Sequence, residues 1–257
     1  MNKDLQVFGG VKSSRGKCFR LFKTFVAFTL AETLIVMGVI GIVSALTLPN
    51  LNSSTGDKEK VAKVKKIYQN LNDALGRAEA VYGPYSDWFV NDADATAKAK
   101  RSGERITEFM KTSKVCAMAA SQGCFTSGDS KTFKNENYTN YDSQTDAYKV
   151  ITADGTSVSI SSLTDDYTIV VDIDGPNKGQ YTLGKDVFIF CISSNGELTP
   201  VHQSGGNFST LIGNIKEKGA DAAAWIIKYD NADYLKIGND NKCPNGTTPT
   251  EANPRCK

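Results

Sequence analysis

Residues 24–49 read TFVAFTLAETLIVMGVIGIVSALTLP, an apolar run in which Glu32 is the one charge. About 20 apolar residues suffice for a helix to cross a bilayer, so a membrane-crossing helix is expected over 28–49. Pro49 lacks a backbone donor and predicts a bend or break there. After a short polar stretch at 50–56 the pattern changes. Val61, Val64, Tyr68, Leu71, Leu75 and Ala78 return every three or four residues, the mark of a helix with one apolar face. Gly83-Pro84 ends it. Lys58, Lys60, Lys63, Lys65 and Lys66 cover much of the opposite side and read as a solvated face.

Farther along, 95–114 is compatible with a helix carrying Ile106, Phe109 and Met110, while 125–147 is polar and reads as a loop. From 148 the period becomes two. Strand-like runs flank Asp154-Gly155, a hairpin signal, and recur at 167–173, 186–193 and 198–202. Two short helices are expected at 208–218 and 220–234, followed by a turn-rich tail. The resulting fold class is α+β: a long N-terminal spine helix, with a membrane half and an amphipathic half, packed on an antiparallel β-meander at about 148–202. Four regions follow: a basic leader at 1–27, a membrane helix at 28–49, an amphipathic helix at 50–83 and a globular head at 84–257.

Charge sharpens this division. The leader holds Lys3, Lys12, Arg15, Lys17, Arg20 and Lys23 against one acid, Asp4, so the +2 of the whole chain leaves −3 on the rest. Basic residues before an apolar span hold its N-terminus in the cytoplasm, which sends the head outward. The mildly acidic head offers no basic face, and no nucleic-acid partner is expected. A lone carboxylate inside an apolar span costs about 2.5–3.5 kcal/mol at a helix centre, which marks Glu32 as functional.

The segment Ala27-Phe28-Thr29-Leu30-Ala31-Glu32-Thr33-Leu34 resembles the processing site of type IV prepilins and type II secretion pseudopilins. The family has a Glu four residues past the Phe and a Pro about one membrane thickness farther on, as Glu32 and Pro49 are here. Its members usually carry Gly before the cut, where this chain has Ala27. The resemblance implies a pilin-like fold and a structural, non-enzymatic subunit of a type IV pilus or type II secretion filament. It implies cleavage between Ala27 and Phe28 by a prepilin peptidase that also N-methylates Phe28. It further implies that Glu32 sets register in the filament by pairing with a neighbouring subunit's amine. The implied partners are that peptidase, other subunits, membrane lipid and an inner-membrane assembly platform. The precursor would sit in the bacterial inner membrane before joining a periplasmic or surface filament. A different class stands beside this reading: a signal-anchored binding or enzymatic domain that does not polymerise.

Of six cysteines, Cys18 lies in the leader and five lie in the outward region, where disulfides persist. Cys116 with Cys124 would close a small loop, and Cys243 with Cys256 would staple the tail, although five cysteines admit other pairings. Cys191, inside VFIFCIS, reads as a buried reduced thiol. The single histidine, His202, has no base or metal partner in the sequence and reads as an edge residue. Asp172-Ile173-Asp174-Gly175-Pro176-Asn177 admits two readings, calcium held by oxygen ligands with Asp186 nearby in sequence or a strand end with ordinary turn chemistry; the twelve-residue calcium-loop pattern is absent. No metal, cofactor or catalytic residue is assigned.

Overall fold

The computed structural model describes residues 29–90, 92, 94–162, 167–200 and 207–256, with backbone alone at 45–54 and 167. The leader, Ala27, Phe28 and His202 lie outside the described residues. Two compact units divide the chain at Pro49.

Helix α1 runs from Leu30 to Tyr82. The break expected at Pro49 and across 50–56 is absent: helical backbone continues through both. A proline inside a helix removes one hydrogen bond and costs about 3 kcal/mol, and here the helix carries that loss without ending. The membrane-crossing half is also corrected. No helix among the described residues is long and apolar enough to cross a membrane.

The second unit is α+β. After α1, a 3₁₀ turn (Tyr85–Phe89) and helix α2 (Ala95–Glu108) lead into six strands: β1 (Thr112–Ala117), β2 (Ala147–Thr152), β3 (Ser157–Ser162), β4 (Tyr167–Asp172), β5 (Val187–Ile192) and β6 (Leu198–Pro200). Each pairs antiparallel with the next, in sequence order. Helices α3 (Phe208–Glu217) and α4 (Ala222–Tyr229) and a second 3₁₀ turn (Asp233–Lys236) follow. The sheet therefore begins well before 148. Strand β1 takes the end of the helix expected over 95–114, because α2 stops at Glu108.

Strand alternation sorts the sheet into two faces. On one, the register aligns Val150, Val158, Val171 and Phe188 in one row and Tyr148, Ile160, Ile169 and Phe190 in the next. All are buried against the helices. The stripe of α1 joins this core: Val61, Val64, Leu71, Leu75 and Ala78 are buried, together with Ile67 and Ala74. Tyr68, partly buried, stacks on Phe190 at 5.7 Å and donates to the Leu198 carbonyl at 3.1 Å. Helix α2 covers β2 and β3, and it approaches so closely that a Cβ on Gly103 would lie 2.2 Å from Tyr148 Cγ.

The other face is covered too. It carries Lys149, Ser157, Ser159, Val170, Asp172, Val187 and Ile189, all buried. The polar excursion 118–146 closes over it with Phe125 and Tyr141, beside the Cys116–Cys124 pair. Asp142 organises this cover. Its carboxylate accepts the amides of Gly123 (3.2 Å), Cys124 (3.0 Å) and Phe125 (3.2 Å). Its carbonyl accepts from Lys149 Nζ at 2.9 Å, and Lys149 also donates to the Gln144 carbonyl. Burial pushes the Lys149 ammonium below the usual lysine range, against the pull of Asp142 and Asp146.

Candidate assembly surface

In the first unit, nine apolar side chains between Leu30 and Val43 are each more than half exposed, from Val43 at 54% to Leu30 at 81%. They occupy consecutive as well as spaced positions, so the helix is apolar all round and not striped. Helices of that kind belong in an apolar environment. A Cβ at Gly38 or Gly41 would meet nothing within 4 Å, leaving room for another backbone to approach. An uncovered apolar surface of this extent is rare on monomeric soluble proteins.

Glu32 sits at the start of this surface in a geometry the sequence reading missed. The Thr29 hydroxyl accepts the Glu32 amide at 3.2 Å, and the Glu32 carboxylate accepts the Thr29 amide and hydroxyl, each at 2.9 Å. That is a capping box, in which Thr and Glu three residues apart satisfy two of the orphan donors of a helix start. The signal was present as Thr29-Leu30-Ala31-Glu32 ahead of an apolar run. Glu32 thus has a structural reason to be acidic that is separate from any partner. Phe28, and with it the expected N-terminal amine, lies outside the described residues.

In the head, the lysine row of α1 is not simply solvated. Lys63 reaches Asp174 at 2.9 Å and Glu59 at 3.1 Å, Lys65 reaches Asp230 at 2.5 Å, and Lys66 reaches Asp154 at 2.7 Å. Three lysines within one helical turn therefore tie the spine to three separate turns of the head. The Asp174 hydrogen bond raises Lys63 above the ordinary lysine value. Lys60, partly buried, is lowered by desolvation, which Asp186, Asp57 and Asp174 oppose. A groove of about 520 Å³ lies between α1 and residues 230–236 and is lined by charged side chains, among them Lys58, Lys65, Asp230 and Arg255.

Cys116–Cys124 and Cys243–Cys256 are disulfides, as the spacing suggested. Cys191 is in neither, and it is half-buried on the second face of the sheet. Among the described residues, no three His, Cys, Asp or Glu side chains are grouped so as to hold a metal ion. Comparisons with protein-family models, with characterised proteins and with solved structures find no match to this chain.

Proposed function

We propose that the chain is a pilin-like structural subunit, assembled into a filament through the apolar helix that opens at Thr29. The observation that carries this reading is the helix itself. It is apolar all round, uncovered over nine side chains, and begins at a lone carboxylate within a prepilin-type motif. Copies of the chain would cover that surface, with Gly38 and Gly41 allowing close approach. Cleavage before Phe28 leaves the Thr29–Glu32 capping box intact, because both residues remain in the mature chain. Glu32 then has two tasks: to start the helix and to carry a charge for register in an apolar interior, where an unmatched charge is expensive. The head supplies outward-facing surface on a disulfide-braced, ion-paired scaffold.

Two measurements on one sample test this. Mass spectrometry of the mature protein is expected to give an N-methylated Phe28 terminus, and sedimentation of sheared cell-surface material is expected to place the head in filaments. An intact Met1 together with a head found only in non-sedimenting form would discard the reading in favour of a non-polymerising binding module.

A further inference from the structure

The loop between β4 and β5, residues 173–186, is built on two buried carboxyl groups. Asp186, 3% exposed, accepts the amides of Gln180, Tyr181 (2.9 Å) and Thr182 (2.7 Å), and its carbonyl accepts the Ile173 amide at 3.0 Å. Asp172, with no exposure, accepts the amides of Asp174 and Gly175 on Oδ1, each at 3.2 Å. Asp172 Oδ2 has no hydrogen-bond partner. Two further buried polar atoms without partners belong to the same corner. Ser157 Oγ stands across the β3–β4 register from Asp172, and Tyr181 Oη lies in the field of the Asp172 carboxyl.

Two carboxyl groups that share a buried site do not both ionise cheaply, and their hydrogen bonds differ. Asp186 has three amide donors spread over both oxygens. Asp172 has donors on one oxygen only. The surrounding charges agree. Lys63 from α1 is committed to Asp174. Lys60 from α1 acts on Asp186 and Asp174, with Lys185 beside it. Asp129 and Asp142, from the excursion, face Tyr181. No cation is paired with Asp172 among the described residues. A neutral acid removes the cost of leaving a charge on an oxygen that is buried and has no hydrogen-bond donor.

We propose that Asp172 is a neutral acid in the native protein, with Oδ1 accepting the turn amides of Asp174 and Gly175 and the unpartnered Oδ2 carrying the proton. This inference is independent of the assembly reading. Burial, reinforced by the Asp186 charge, pushes Asp172 up to about 8, in keeping with the geometry. In the unfolded chain the same carboxyl ionises near 3.9. Between those values the native protein binds one proton more than the unfolded chain. The stability contributed by this proton is complete below pH 4 and is lost as pH rises through about 8.

The test compares the full-length chain with Asp172→Asn, which is permanently neutral and nearly isosteric. Unfolding equilibria are measured from pH 5 to pH 9. The folding constant of the variant relative to wild type is expected to rise up to tenfold per pH unit until about pH 8 and then level off. A ratio independent of pH overturns the proposal. Infrared spectra of the wild type provide a second readout that needs no variant. A protonated carboxyl band at pH 7, vanishing with a midpoint near 8, is expected, and no such band at pH 6 overturns the proposal. Stabilisation of the wild type by millimolar calcium at pH 7, absent in Asp172→Asn, would make the pair a cation ligand and overturn it as well.

Discussion

Thr29 and Glu32 complete each other's hydrogen bonding at the first turn of α1, hydroxyl to amide in one direction and carboxylate to amide in the other. The contact gives Glu32 two separable properties: the oxygen that closes the cap and the charge that the assembly reading requires. Glutamine keeps the first and removes the second, since Glu and Gln serve a capping box alike.

Glu32→Gln is therefore expected to keep the helix and lose assembly, while Glu32→Ala loses both, the missing cap costing about 0.5–2 kcal/mol. Co-expression with wild type, followed by the share of each variant in filaments, measures the outcome. If Glu32→Gln enters filaments as readily as wild type, charge-based register is wrong and the residue is a cap only.

Leu71 is 1% exposed in the main core, whereas the Lys65–Asp230 pair is open to solvent. Leu71→Ala is expected to cost about 2–5 kcal/mol, and Lys65→Ala at most about 1 kcal/mol. Chemical denaturation of both variants distinguishes the two magnitudes. Equal losses would mean that the stripe of α1 does not support the head.

Gly103 touches the root of the Tyr148 ring, so even a methyl group must displace the ring or the helix. Gly103→Ala gains helix propensity of about 1 kcal/mol and is still expected to destabilise by roughly 1–3 kcal/mol through overpacking. Combined with Tyr148→Gly, which removes the ring and the Cβ 2.3 Å away as well, it is expected to cost less than the sum of the separate changes. Strict additivity in a double-mutant cycle would remove this contact as the cause.

The Lys66–Asp154 tie carries an acid dependence opposite in sign to that of Asp172. Burial pushes the Asp154 carboxyl upward, but the bonds from Lys66 and Thr152 prevail and bring it to about 2. A carboxyl lowered by folding contributes stability above its unfolded value near 3.9, and that contribution is lost as pH falls toward 2. The pair is half-exposed, so the effect is at most about 1 kcal/mol. Asp154→Asn is expected to flatten the acid limb of the stability profile by that amount, and an unchanged limb would dismiss the tie.

Reducing Cys116–Cys124 is expected to loosen the excursion that covers the second face of the sheet, at a cost of about 2–4 kcal/mol. Amide exchange at Cys124 and Phe125 should rise while that at Val158 and Val171 stays low. Uniform exchange across both sets would show that the cover and the sheet open together.

What was legible in the sequence followed strict periods and strong turns. The three-to-four spacing of Val61, Val64, Leu71 and Leu75, the Asp154-Gly155 hairpin and the two cysteine pairs all appear where the pattern put them. Strand β1 was not legible, since TSKVCA is largely exposed, pairs irregularly and finds its neighbour only across the long excursion. The excursion looked like plain loop because much of its order comes from Asp142 and the buried Lys149, which have no periodic signature. Gly103 gave no sign of its close approach to Tyr148, because a missing side chain leaves no mark in a hydrophobic period. The lysine row read as solvated because its acidic partners lie 88 to 165 residues away in the chain.

Those distances also govern the birth of the protein. The apolar stripe of α1 is made early, but the strand carbonyl that Tyr68 grips comes 130 residues later. At about 5–20 residues per second of synthesis, the stripe waits on the order of 10 s before its sheet exists. During that interval the nascent chain exposes this sticky face with nothing of its own to cover it. A newly made molecule therefore completes its core only at the moment at which β5 and β6 arrive.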